Sequence, residues 1–198
     1  MLFHFTSLLA TIAAVTAYPQ AADPIDQGPI SGPFLPNGTG PGECTPEYRL
    51  AGAQQIIFAY NRVQPGESAA AFQRLPLRDD CKVTILANGL PGVPVAIDRT
   101  TTVDFATASR EAFSRVTGIY KDFPENGTTV INTNVTLGVL HAVALPVTFN
   151  ADVYLDYDVS QCLMTAIRAY ARVPTQVGGV VIGDLVMDTL LSFSSIGE

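Results

Sequence analysis

Three carboxylates, an amide and a phenol recur at every second position of Asn150-Ala151-Asp152-Val153-Tyr154-Leu155-Asp156-Tyr157-Asp158. As a strand, this run puts Asn150, Asp152, Tyr154, Asp156 and Asp158 on one face and Val153, Leu155, Tyr157 and Val159 on the other, toward a core. The plain consequence is a solvated sheet face. Two kinds of chemistry also fit a row of carboxylates. Calcium takes about six to eight oxygen ligands. A strand spaces alternate side chains roughly 7 Å apart, so a loop would have to close over the ion, with Asp79 and Asp80 as candidates. No calcium-loop spacing is present. Inverting glycoside cleavage needs two carboxyls roughly 6.5 to 9.5 Å apart, which Asp156 and Asp158 can satisfy. The chain has no Trp, the common sugar platform, although it has 7 Tyr. A hydrolase built on Asp152, Asp156 or Asp158 therefore requires a concave site and a partly desolvated carboxyl with a raised pKa.

His141 is the other candidate for catalysis, within Leu137-Gly138-Val139-Leu140-His141-Ala142-Val143-Ala144-Leu145. A serine hydrolase needs such a base next to its nucleophile, but no Gly-x-Ser-x-Gly elbow accompanies it. In so apolar a run the histidine reads as a hydrogen-bonded core or sheet residue. No catalytic residue is assigned. No cofactor and no metal are expected. The cysteine spacings match no zinc motif, and Gly178-Gly179-Val180-Val181-Ile182-Gly183 lacks the spacing and Lys of a phosphate loop.

The compartment is read from the N-terminus. Leu8 to Val15 is apolar, and Val15-Thr16-Ala17 carries small residues where a signal peptidase reads, so residues 1–17 have the pattern of a secretory signal peptide. The expected location is extracellular. Sequons at Asn37, Asn126 and Asn134 agree with it, each an acceptor for an N-glycan. In an oxidising compartment Cys44, Cys81 and Cys162 predict one disulfide and one leftover thiol. Three pairings are open. Cys44 with Cys81 closes the shortest loop and is the one favoured here. Cys162 is then free, or links two chains as a dimer.

The net charge of −7 and the absence of any basic run argue against nucleic acid and anionic lipid as partners. The expected partner is extracellular and unidentified. No membrane span is expected after the signal, since Asp184 and Asp188 interrupt the apolar run 177–193.

These residues need a scaffold. Residues 18–43 carry six prolines and five glycines and read as a flexible leader, which places the globular domain at 44–198. Within it the pattern predicts a strand over 53–63, a short helix over 68–75, and strands over 82–87 and from Val95. Phe105, Ala108, Ala112, Phe113, Val116 and Tyr120 follow helical spacing and predict a helix over 104–120 capped by Thr102. Strands rich in Val, Thr and Ile follow over 128–159, with Pro146 dividing two of them. Ser160 can cap a helix through Arg172. The sum is an α+β single domain, an antiparallel β-rich sheet with a few packed helices, with a β-sandwich as the alternative.

Three functions are compatible with this reading. The first is a secreted glycoprotein that binds a partner at a cell surface, wall or host without catalysis. The second is the hydrolase on the acidic strand. The third is a carrier of an apolar ligand, with residues 137–147 lining a cavity between sheet and helices.

Overall fold

In the computed structural model the described residues are 44–174 with the backbone of 176, 177, 180 and 181. The signal segment 1–17, the leader 18–43 with Asn37, and residues 182–198 lie outside them.

Thr45 and Pro46 start the first helix. The Thr45 hydroxyl accepts from the Tyr48 N–H at 3.3 Å, and Pro46 takes a first-turn position where its missing N–H is harmless. The helix α1 runs Pro46–Tyr60, so the expected strand over 53–63 is corrected. Ala53, Ile56, Ile57 and Tyr60 are three and four apart, and that spacing puts them on one helical face toward the sheet. The second helix, α2 (Pro65–Gln73), follows the expected short helix. It is tied to α1 by Gln55 Nε2 donating to Ala71 O at 3.0 Å and Ser68 Oγ donating to Ala59 O at 2.8 Å.

β1 (Leu77–Ala87) and β2 (Val93–Ala96) form a hairpin. Asn88 and Gly89 make its turn at φ 52° and 76°, the positive angles an Asn-Gly pair tolerates. The third helix, α3, is Arg99–Arg110 rather than 104–120. Asp98 caps it in a reciprocal box with Thr101, while Thr102, the expected cap, is buried inside it and donates to Cys81 O at 3.3 Å. The helix stops at Arg110, whose buried guanidinium donates to the Arg62 and Val63 carbonyls. The rest of the expected helix is a strand, β3 (Phe113–Phe123). The 3.6-residue pattern there spans two elements that happen to share it. β4 (Thr128–Val139) and β5 (Val143–Asp158) follow, joined at 140–142. Pro146 lies inside β5 and divides nothing. The expected helix after Ser160 is another strand, β6 (Leu163–Arg172). Its alternation decides this: Ala171 is buried while Tyr170 and Arg172 are exposed. Gln176–Val177 and Val180–Val181 pair as the short strands β7 and β8.

The main sheet has the order β2-β1-β6-β5-β4-β3. Its neighbours are antiparallel except β1 and β6, which are parallel. The architecture is an α+β single domain with a six-stranded mixed sheet and three helices on one face. It is not a sandwich.

One end of the helix–sheet interface is sealed. Cys44, just before α1, is bonded to Cys162 before β6, with the Cα atoms 4.8 Å apart. This corrects the Cys44–Cys81 pairing. The leftover thiol is Cys81, fully buried, and burial raises its pKa to about 12. No exposed free cysteine is left among the described residues to link two chains. Arg49, 2% exposed, grips Asp122, 6% exposed, with Nε to Oδ1 at 3.0 Å and Nη2 to Oδ2 at 2.5 Å. Arg49 Nη1 also donates to Cys44 O at 2.8 Å, and Thr129 Oγ1 donates to Asp122 Oδ1 at 2.6 Å. Charges this deep persist only when paired and hydrogen-bonded. Next to them Gly52 lets α1 lie on Tyr157 and Met164: a Cβ there would stand 2.3 Å from Tyr157 Oη.

Candidate functional site

β5 alternates as the sequence indicates. Leu155 and Tyr157 are buried, while Asn150, Asp152, Tyr154 and Asp156 turn away from the helices. Val159 leaves the pattern: it is 56% exposed in the turn after the strand. On the outer face Asp152 and Asp156 meet cations and donors from neighbouring strands. Asp152 accepts from Asn132 Nδ2 at 2.7 Å and from Arg172 Nη2 at 2.5 Å. Asp156 accepts both arms of the Arg168 fork, at 2.8 and 2.9 Å, and Thr128 Oγ1 at 3.0 Å. Asp158 closes the next turn by accepting from the Ser160 hydroxyl and N–H at 2.6 and 2.9 Å. The Ser160 hydroxyl holds the Asp158 carboxyl below its ordinary range, opposite to the direction a general acid needs. None of the three lines the cavity described below. Asp80 is gripped by Arg78, and Asp79 is exposed. No group of three or more His, Cys, Asp or Glu side chains able to hold a metal ion occurs among the described residues.

His141 sits in the β4–β5 turn at φ 57°, not in the core. Its Nδ1 contacts Phe113 O at 2.5 Å, and desolvation lowers its pKa. Asn126 and Asn134 are both exposed. Asn126 lies in a 3-10 turn before β4, and Asn134 on β4, where it donates to Asn150 Oδ1 at 3.1 Å.

The feature the acidic strand does not touch is inside. Between the inner face of the sheet and the three helices lies a cavity of about 140 Å³. Its position differs from the expected one. The run 137–147 contributes nothing to it, and Val139, Leu140 and Val143 are exposed at the hairpin tip. The wall comes from mid-strand. Inward positions of β5 and β6 carry Ala151, Ala169 and Ala171, and α3 opposes them with Ala106. Small side chains at facing positions leave volume that Leu or Ile would fill. That run of inward alanines is the sequence signal for the cavity, and it becomes readable once the strands are paired.

Aromatic rings frame one side. Tyr60 stacks edge-on against Phe72 with centroids 4.9 Å apart and lies 5.7 Å from Phe113, which in turn meets Phe149 at 6.0 Å. The wall carries no Asp, Glu, Lys, Arg or His. Its hydroxyls are Tyr60, Thr102, Ser109 and Thr133, each with an internal partner. Burial raises the Tyr60 pKa, so the phenol stays neutral. This is a site for apolar contact with a few fixed polar points.

No protein-family model matches the chain, and no curated protein matches it. Among solved structures the chain is similar to a protein of unknown function with a cystatin-like fold from Methylobium petroleophilum, with 11% identity, 70% of this chain and 84% of that one covered, and a TM-score of 0.49. BvnE pinacolase from Penicillium brevicompactum gives 9% identity, 64% and 84% coverage, and a TM-score of 0.45. An NTF2-like protein of unknown function from Cytophaga hutchinsonii gives 11% identity, 63% and 96% coverage, and a TM-score of 0.40.

Proposed function

We propose that this is a secreted glycoprotein that binds a small apolar molecule between its sheet and helices. The observation that carries the reading is the cavity. Its wall is apolar and the chain's own side chains leave it unfilled, so a ligand that enters gains contacts that the empty protein lacks. Engineered apolar cavities of about 150 Å³ stay dry and take up benzene, which sets the scale of the occupant. Extracellular placement rests on residues 1–17 and on the sequons Asn37, Asn126 and Asn134. The two described sequon asparagines are exposed, as glycan attachment requires.

Two measurements test this. Expressed with its own N-terminus in a eukaryotic secretory host, the protein should enter the medium starting near Tyr18 and lose mass with an endoglycosidase. Retention in the cell overturns secretion. Titrated with toluene and followed by methyl NMR, the purified protein should show saturable shifts at Ile131 and Val135, absent in Ala106→Leu. No shift in the parent protein, or an equal shift in the filled variant, overturns the cavity reading.

A further inference from the structure

We infer that Asn134 carries an N-glycan whose first sugar lies on the outer face of the sheet, aimed by Asn150 and covering Ile119, and that it shields the long edge strand β3 from a second copy of this chain. The inference rests on the secreted-glycoprotein reading above and adds the seat and the role of one glycan.

The seat is built by strand register. Asn134 is exposed between the buried Thr133 and Val135, so its side chain leaves the outer face in mid-strand. Its amide nitrogen has two hydrogens. One is given to Asn150 Oδ1 at 3.1 Å on the neighbouring β5, which leaves the other for a sugar to replace. The bond to Asn150 therefore survives modification and fixes the linkage amide. On the other side Asn134 pairs with Thr117 of β3, and Asn132 with Ile119. Gly118 between them faces Ile131 and Ile57 of the core, so Thr117 and Ile119 share the outer face with Asn134. Ile119 is 74% exposed, and as the diagonal neighbour of Asn134 it lies roughly 7–8 Å away along the sheet. A sugar offers C–H groups to such a side chain and hydroxyls to the amides beside it. The charges further along this face are already matched, Asp152 with Arg172 and Asp156 with Arg168, which suits a neutral occupant.

The two edges of the sheet show what the glycan is for. The strand order places β2 and β3 outermost. β2 is 4 residues long and contains Pro94, two devices that blunt an edge. β3 is 11 residues long without a proline, and among the described residues it pairs on one side, with β4. A long edge beside an exposed isoleucine invites another chain. A bulky, solubilising glycan one strand in from that edge keeps the chain away.

The experiment uses the full chain secreted from a eukaryotic host, its glycans trimmed by an endoglycosidase to one N-acetylglucosamine. Peptide mass spectrometry should find that sugar on Asn134, and nuclear Overhauser contacts should join it to the Ile119 methyls. These readouts need no variant. In Asn150→Ala the contacts should be lost. By sedimentation at equal concentration, Asn134→Gln should show a higher average mass than the parent, Asn126→Gln should not, and Asn134→Gln with Ile119→Ser should return to the parent value. An unmodified Asn134 beside a modified Asn126 overturns the inference and leaves the glycoprotein reading standing. A modified Asn134 without contact to Ile119 overturns the seat, and contacts that survive Asn150→Ala overturn the role of Asn150. Association of Asn134→Gln no greater than that of the parent or of Asn126→Gln overturns the shielding. Retention in the cell, or no sugar at any sequon, sinks both readings.

Discussion

The two ends of α1 meet the sheet in opposite ways. Around Arg49 and Gly52 the helix lies flat on β3 and β5. Its glycine touches Tyr157 and Met164, its arginine is locked to Asp122, and the chain just before it is bonded to Cys162. Two turns later, at Ile56 and Tyr60, the same helix stands over a cavity bounded by alanines on the strands beneath. Packing fills the space under the first end, whereas the second is tied to β3 by Asn61, which exchanges hydrogen bonds with the Val116 N–H and carbonyl, and spans an unfilled space. The contrast explains how a void persists in a core that would gain by collapsing. Large-to-small sites relax inward when their walls can move. Here the covalent bond, the buried ion pair and the close glycine contact fix the helix at one end, and the Asn61 clamp on Val116 fixes it at the other, so it is held above the void.

Breaking the sealed end should have the largest effect. Replacing both Cys44 and Cys162 by Ser opens a link between residues 118 apart. In the chain-entropy model the loss is about 4–5 kcal/mol, to be read from the denaturant midpoint. Toluene affinity should fall too if this anchor holds the cavity open. Asp122→Ala comes next: it strands the Arg49 guanidinium at 2% exposure and should cost about 3–5 kcal/mol in the same measurement. A loss below about 1 kcal/mol would mean that water reaches the arginine and that this end is less sealed than described.

A matched pair of small-to-large changes puts the comparison on one scale. Gly52→Ala places a methyl 2.3 Å from Tyr157 Oη and 3.0 Å from Met164 Cε, and should destabilise by about 1–3 kcal/mol. Ala106→Leu adds three carbons where there is space, and should change stability by less than about 1 kcal/mol in either direction while abolishing toluene binding. Equal destabilisation by both would erase the difference between the ends.

The smallest effect expected lies at His141, in the turn beyond the open end. Desolvation, with help from the charge of Arg110, lowers its pKa below the ordinary 6.5 against the contrary pull of its bond to Phe113 O. The folded state then binds its proton less readily than the unfolded chain. The contribution is complete above about pH 6.5 and is lost as the pH falls below that value through the folded pKa. His141→Asn, which tolerates the positive φ, should flatten the stability profile in that window. An unchanged slope would place the titration elsewhere.

Much of the fold was legible in the residues. The strand over 82–87, the strands through 128–158 and the alternation of Asp152, Leu155 and Asp156 stand in the structure as the pattern indicates. The misassigned elements have a common cause. Ile56, Ile57 and Phe58 favour strands by type, yet Thr45-Pro46 starts a helix and the spacing of Ala53, Ile56 and Tyr60 sustains it. Over 104–120 a helical period bridged a real helix and a real strand. Over 160–172 the alternation Ile167-Arg168-Ala169-Tyr170-Ala171-Arg172 outweighed an apparent helix start at Ser160. Local spacing describes one segment at a time, and these cases were decided by what each segment packs against.

The sequence alone determined the class of fold, the alternation that turns Asp152 and Asp156 outward, the presence of three cysteines, and the signals from which a secreted location is read. Those follow from residue type and from periods of two and 3.6, which are local. Tertiary structure decided that Cys44 pairs with Cys162, that Arg49 finds Asp122 across 73 residues, and that Ala106 faces Ala151, Ala169 and Ala171 across an unfilled space. Each is a meeting of residues distant along the chain. A disulfide, a buried ion pair and a cavity are properties of such meetings, so no reading of neighbours in sequence contains them.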